Sequence, residues 1–239
     1  MIQRLGELSG KPKDSTLHVY PILNNTSEFG VDDAQISVVT SKMQDAFFKE
    51  NPHQSHNRYD AAQWHSDIQF EHAPADYTSL RLTKLPSTGG DILWASRYEI
   101  YDRFSLAYKR FLEGLTATFV GEGFHKAATE YPDRVTIHNQ ARGSPLNVGN
   151  RISAVHPVVR TNPVSGWKSI FAFGTFPKQI NELNDEESNE LLQIFKDILV
   201  QNHDLQVRFK WRHPNDIGLC SLQFLEYFYL QKFSNLGQS

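Results

Sequence analysis

Apolar positions recur along this chain with two different periods, and the period predicts the element. Between Tyr98 and Leu115, Tyr101, Phe104, Tyr108, Phe111, Leu112 and Leu115 fall near i, i+3, i+4 steps, which predicts a helix with one face in a core. A better-marked helix opens at Asn184. That residue can cap the first turn, Asp185, Glu186 and Glu187 sit at the positive dipole end, and Leu191, Leu192, Phe195, Ile198 and Leu199 form the apolar stripe, which ends near Asn202.

Elsewhere short alternating or apolar runs predict strands. They lie at Leu17 to Ile22, an edge strand because it contains Pro21, and at Ile36 to Val39, Ala62 to Phe70, Tyr77 to Lys84 and Asp91 to Ala95. Val155 to Thr161 and Ser169 to Phe173 read as a hairpin around Asn162 to Gly166, and Val207 to Trp211 as a strand before a turn at His213 to Asp216. Ser41 to Glu50 is a short helical segment stopped by Pro52, followed by a polar, exposed loop from Asn51 to Tyr59. Turns rich in Pro and Gly between the strands predict antiparallel β structure with flanking helices, and no repeat or low-complexity tract interrupts it.

Composition narrows the class. The 239 residues are 39% hydrophobic and 12% aromatic, enough for one sizeable core. A net charge of -3, with Lys and Arg dispersed rather than striped, argues against a nucleic-acid partner. The single cysteine, Cys220, fits a reducing compartment, so a cytoplasmic location is expected. No stretch approaches the ~20 apolar residues of a membrane span, and the first ten residues do not read as a secretory signal.

The candidate chemistry sits at Trp64-His65-Ser66-Asp67. On an extended chain residues two apart share a face, so the His65 imidazole and the Asp67 carboxylate can converge on one point. With a further histidine they would form the facial triad that leaves open positions on Fe(II). Taken alone, His-x-Asp is equally the pattern of a histidine hydrogen-bonded to its neighbour. A hydrolytic metal site would need more carboxylates and histidines gathered there, and the sequence offers no such cluster.

Three further blocks add context: Leu85-Pro86-Ser87-Thr88-Gly89-Gly90-Asp91-Ile92-Leu93-Trp94, then His156-Pro157-Val158-Val159-Arg160-Thr161-Asn162-Pro163, then Leu205 to Trp211. With Trp64 to Asp67, and with Arg4 to Pro12 near the start, these segments in this order resemble the signature blocks of the taurine/2-oxoglutarate dioxygenase family, particularly its fungal sulfonate dioxygenase-like members. The resemblance runs from about Gln3 to Asn215. It implies a double-stranded β-helix, or jelly roll, with helices outside. It also implies an Fe(II) centre held by His65 and Asp67, with 2-oxoglutarate as cosubstrate. The implied reaction oxidises 2-oxoglutarate to succinate and carbon dioxide while hydroxylating a small organic substrate such as a sulfonate. Ile92 and Trp94 fall at the implied cosubstrate-binding positions, Trp94 either as a pocket wall or as plain core packing.

The sequence also departs from that pattern. Ile92 replaces the threonine whose hydroxyl helps hold the cosubstrate, a lost contact of about 1.5–3 kcal/mol. After Asp216 the family's third iron-binding histidine and its 2-oxoglutarate-binding arginine do not appear, and Lys232 cannot copy a bidentate guanidinium. His203 and His213 stand where a helix end and a turn account for them. The expectation is therefore a dioxygenase-like domain over 1–216, shortened at its N-terminal side, and a divergent tail over 217–239. The jelly roll would be incomplete, leaving sheet edges for the tail or a partner to cover. Two functions follow: a sulfonate-class dioxygenase of a small-molecule substrate, with a homo-oligomer open to it, or a catalytically inactive relative that is inert or serves only as a binding partner.

Overall fold

The computed structural model describes residues 2–22, 34–37, 64–85, 90–130, 132–133, 135–213, 216–221 and 224–228. Ten strands and five α-helices follow one another in it: α1 (Ile2–Leu8), β1 (Tyr77–Arg81), β2 (Ile92–Ser96), α2 (Arg97–Asp102), α3 (Leu106–Leu112), β3 (Thr116–Val120), α4 (Glu122–Glu130), β4 (Ser153–Pro157), β5 (Val159–Thr161), β6 (Lys168–Ile170), β7 (Pro177–Ile180), α5 (Asp185–Gln201), β8 (Gln206–Phe209), β9 (Ile217–Ser221) and β10 (Phe224–Phe228). Every strand pairing is antiparallel, in the orders β1-β9, β10-β2-β8, β4-β3-β7 and β5-β6. Among the described residues no helix is long and apolar enough to cross a membrane.

The core gathers on the β4-β3-β7 sheet and the loops behind it. Ala117 and Phe119 point inward from β3, where they meet Ile152, Phe171 and Phe173, while α5 adds Leu191, Phe195 and Leu199. Helix α5 forms as its sequence predicts. Asn184 accepts a hydrogen bond from the Glu187 amide, and the Glu187 carboxylate accepts one from the Asn184 amide, which satisfies two otherwise orphaned donors. The β5-β6 hairpin is likewise where its turn residues place it, with Asn162 Oδ1 accepting from the amides of Val164 and Ser165.

Four expectations change. The helix predicted over Tyr98 to Leu115 is two helices, because Ser105 turns extended and its Oγ accepts from the Tyr108 amide, starting α3 afresh. Leu17 to Ile22 is not a strand; it is held by the Thr16 amide on Gly143 O at 2.8 Å and by a single bridge between Ile22 and Ile137. Residues 36–37 are not strand either, and the rest of Ile36 to Val39 lies outside the described residues, as do Ser41 to Glu50 and Asn51 to Tyr59. The described part of Ala62 to Phe70 is a short extended stub that breaks into turn at Asp67. Ile68 takes a positive φ of 50° there and the Glu71 amide bonds to Ile68 O, so a ladder cannot continue.

The tail joins the sheets. Strand β9 pairs with β1 from Tyr77↔Ser221 to Arg81↔Ile217, and β10 pairs with β2 from Phe224↔Ser96 to Phe228↔Ile92. The segment after Asp216 thus covers one edge each of β1 and β2.

Candidate functional site

Within the segment from Trp64 to Ala73, side-chain bonds to distant parts of the chain take the place of regular secondary structure. His65 Nε2 lies 3.4 Å from Asp67 Oδ1, with the two side chains 25% and 39% exposed. The convergence expected from their spacing is met, although a turn rather than a strand follows them. Trp64 and Ser66 are buried on either side of His65.

Gly174 sets how closely this segment approaches the core. Its φ is +103°, and a Cβ built on it would lie 2.9 Å from Trp64 O and 3.0 Å from His65 Cα. Both are backbone atoms, so no side-chain rotation relieves the contact, and only glycine fits. Tyr20 is the other neighbour: burial, and then the charge of Asp67, hold its phenol well above the ordinary range, so it stays a neutral O–H.

Beneath the pair runs a polar network in the protein interior. Arg142 Nε and Nη2 donate to the two oxygens of Glu71 at 2.5 and 2.9 Å, while its Nη1 donates to His138 O and Gly149 O. His18 Nε2 lies 3.3 Å from Glu71 Oε1. Burial pushes the Glu71 carboxyl upward, but its hydrogen bonds to Arg142 and His18 outweigh that and hold it below its ordinary value. His156 Nε2 meets Glu71 O at 2.8 Å, and burial lowers the pKa of this imidazole. Gln69 Nε2 donates to Phe171 O at 2.6 Å, and the Asn147 carboxamide bonds to both the amide and the carbonyl of Ala73.

Ile92 and Trp94 sit on β2, in the β10-β2-β8 sheet. Ile92 is 1% exposed and offers no polar side-chain atom. Trp94 packs against Phe209 with ring centres 5.4 Å apart, and its Nε1 is buried without a hydrogen-bond partner, as is that of Trp211. Packing thus accounts for much of Trp94. Asp91, just before them, accepts from Arg208 at 2.6 Å. Residues 59–63, just before Trp64, lie outside the described residues. His203 forms part of the turn after α5, and the His213 amide donates to Asp216 Oδ2.

As a test of fit, the pair supplies one nitrogen and one carboxylate, the donor types a divalent first-row metal takes, at a spacing that lets one ion reach both. Among the described residues no third His, Cys, Asp or Glu joins them. Tyr20, Gly174 and Gln69 were not singled out from the sequence. The Tyr-Pro step and the glycine after Phe173 were visible, but nothing in their local pattern says what they touch.

Solved structures with the same fold define the class. A taurine dioxygenase from Burkholderia xenovorans superposes with a TM-score of 0.55 at 21% identity, covering 70% of this chain and 52% of that one. The structure of AAD-2 in complex with Mn(II) and N-oxalylglycine gives 0.55 at 19% identity, covering 70% and 56%. The fold is that of the taurine dioxygenase class. The model of the taurine catabolism dioxygenase TauD, TfdA family matches residues 1–218, and the chain belongs to that family.

Relatives include an alpha-ketoglutarate-dependent dioxygenase of Penicillium shearii, 36% identical over 92% of this chain and 65% of its own length, and one of Aspergillus oryzae, 38% identical over 92% and 62%. An alpha-ketoglutarate-dependent sulfonate dioxygenase of Saccharomyces cerevisiae is 30% identical over 62% of this chain and 33% of its own length. The chain spans less than two thirds of the length of these relatives.

Proposed function

We propose that this chain is an Fe(II)/2-oxoglutarate-dependent dioxygenase of the sulfonate class, with His65 and Asp67 as two of its iron ligands. The observation that carries the reading is the convergence of His65 Nε2 and Asp67 Oδ1 at 3.4 Å on a segment that Gly174 and the Glu71 network hold in place. Family membership supports the cosubstrate, and the sulfonate dioxygenase among the relatives supports the substrate class. Bound iron would activate dioxygen, the oxidant, with 2-oxoglutarate taking one oxygen atom as it gives succinate and carbon dioxide and the substrate carbon taking the other.

The protein's own residues have defined tasks. His65 coordinates as a neutral imidazole and Asp67 as a carboxylate, so both must be free of the proton that competes with metal. Trp64 and the buried Ser66 exclude water from one side of the pair. Tyr20 presents a neutral hydroxyl toward the Asp67 charge, available to donate a hydrogen bond. Ile92 and Trp94 contribute apolar surface to the cosubstrate pocket, and Ile92 provides no hydroxyl to orient it. We read residues 1–216 as a jelly-roll catalytic unit and 217–239 as a divergent tail whose strands β9 and β10 pair with β1 and β2, in a cytoplasmic protein.

A second reading is an inactive relative that binds without turnover. It is favoured by the lack of a third donor among the described residues and by the apolar side chain at Ile92. One titration separates the two: anaerobic addition of Fe(II) and 2-oxoglutarate, followed by visible absorption. A charge-transfer band in the wild-type protein that is lost in His65→Ala is expected for the dioxygenase. Folded protein that gives no band supports the inactive relative.

A further inference from the structure

Immediately after Asp67 the backbone takes a conformation that its residue resists. Ile68 has a φ of 50°, and among the described residues it is the one residue other than glycine with a positive φ. A β-branched side chain crowds its own backbone there, so the left-handed region is a genuine outlier for isoleucine. Such a turn persists only where surrounding bonds over-determine it. Ile68 is buried, and the Glu71 amide bonds to Ile68 O at 3.0 Å, which closes the turn on itself.

Two anchors lie on the far side of that turn. Gln69 Nε2 donates to Phe171 O at 2.6 Å, and Glu71 O lies 2.8 Å from His156 Nε2. The anchors also touch each other. His156 stands on β4, paired with Ala117 of β3, and its ring meets those of Phe119 and Phe171 edge-on, with centres 5.4 and 5.2 Å away. The Phe171 amide is tied in turn to Val158 O. A carbonyl oxygen has no proton to give, so His156 is the donor and its proton sits on Nε2. Burial disfavours the imidazolium, which leaves the neutral ring with that tautomer as the form present at neutral pH. The phenylalanine rings beside it hold the imidazole plane, and neither offers a donor of its own.

We propose that His156 is a positioning residue for the His65 and Asp67 pair: its Nε2–H, donated to Glu71 O, holds the left-handed turn at Ile68 that sets where the Asp67 carboxylate lies. Without that bond Ile68 relaxes toward negative φ. Rotation at one φ swings the chain before it relative to the chain after it, so Asp67 leaves the place where it meets His65. The inference rests on the dioxygenase reading only for the use of the pair as iron ligands; the aiming of Asp67 does not require it.

The test is hydrogen exchange of the full chain at neutral pH, read by mass spectrometry. His156→Phe keeps an aromatic ring beside Phe119 and Phe171 and removes the donor, whereas His156→Gln gives up the ring and keeps an N–H. In His156→Phe the peptide spanning 64–73 is expected to exchange about tenfold faster, the scale of one lost buried hydrogen bond, while the α5 peptide exchanges as in wild type. His156→Gln should fall between the two. Unchanged exchange over 64–73 in His156→Phe overturns the proposal. So does exchange there that rises in step with α5, because a purely structural role loosens both. Anaerobic Fe(II) titration of the same proteins is the second readout: affinity about tenfold lower in His156→Phe is expected, and unchanged affinity overturns the proposal. Wild-type protein that takes up no Fe(II) overturns the dioxygenase reading alone, since the exchange comparison decides the aiming of Asp67 without metal. Should His156→Phe not fold, His156→Leu takes its place against His156→Gln in the same comparison.

Discussion

The segment from Trp64 to Ala73 and the tail strands β9 and β10 both lie outside the β4-β3-β7 sheet, and they are held in opposite ways. The first has almost no backbone ladder; buried side chains fix it, with Arg142 on Glu71, Gln69 on Phe171 O and Asn147 on Ala73. The second is fixed by continuous antiparallel pairing with β1 and β2. Ladder bonds are many, similar and tolerant of side-chain change. Buried charged bonds are few, and each has no substitute. The segment that brings His65 and Asp67 together uses the second kind, and strands that close an edge use the first.

This contrast can be broken at named positions. Arg142→Ala should have the largest effect, because it strands the Glu71 carboxylate in the interior with only His18 near it. A loss of about 3–5 kcal/mol is expected in urea unfolding. Gly174→Ala comes next. An alanine at φ +103° is strained by about 1–2 kcal/mol, and its Cβ presses on the backbone of Trp64 and His65. Fe(II) affinity should therefore fall more than overall stability, as calorimetry and thermal melting run side by side would reveal.

Acid should act on the network and spare the ladder. Burial disfavours the charged form of His156, so its folded pKa lies below the ordinary value of 6.5 and the unfolded chain takes up the proton first. Stability from this group is present above about pH 6.5 and falls as pH drops below it, by no more than about 1.4 kcal/mol per pH unit. Glu71 adds a second decline below its ordinary 4.5, because its folded pKa is depressed. Thermal midpoints measured from pH 8 to 4 should follow that sequence, and His156→Gln should flatten the upper part.

Gly218→Ala, in β9, should have the smallest effect. A Cβ there meets only the ring edges of Trp211 at 3.3 Å and Trp94 at 3.5 Å, which can shift by tenths of an ångström. A change under about 1 kcal/mol is expected. A larger one would mean that the tail is as finely fitted as the site.

What could be read from sequence follows the same division. Helix α5, the β5-β6 hairpin, β1, β2 and β8 were legible because their signals are local: a cap, a turn tetrapeptide, a period. The His65 and Asp67 pair was legible because two residues at a spacing of two converge in any extended stub. Strand β3 was missed although Thr116 to Val120 alternates cleanly, because the helical spacing before it was carried through to Leu115. Seryl caps at Ser96 and Ser105 are weak signals against such a period, yet they decided where the helices start. The side-chain partners of Glu71 lie 71 and 53 residues away along the chain and that of Gln69 lies 102 away, and no local pattern encodes a contact of that range. The resemblance recovered the family from motif order, and the whole of β9 and β10 lay beyond it.

The reach of the Gln69 hydrogen bond also has a temporal meaning. Its acceptor, Phe171 O, is 102 residues further along the chain. At synthesis rates of about 5–20 residues per second, the His65 and Asp67 segment must wait roughly 5–20 s after leaving the ribosome before that anchor exists. During that interval a nascent chain carries His65 and Asp67 without the frame that orients them, so the pair converges only once the later half of the chain has been made.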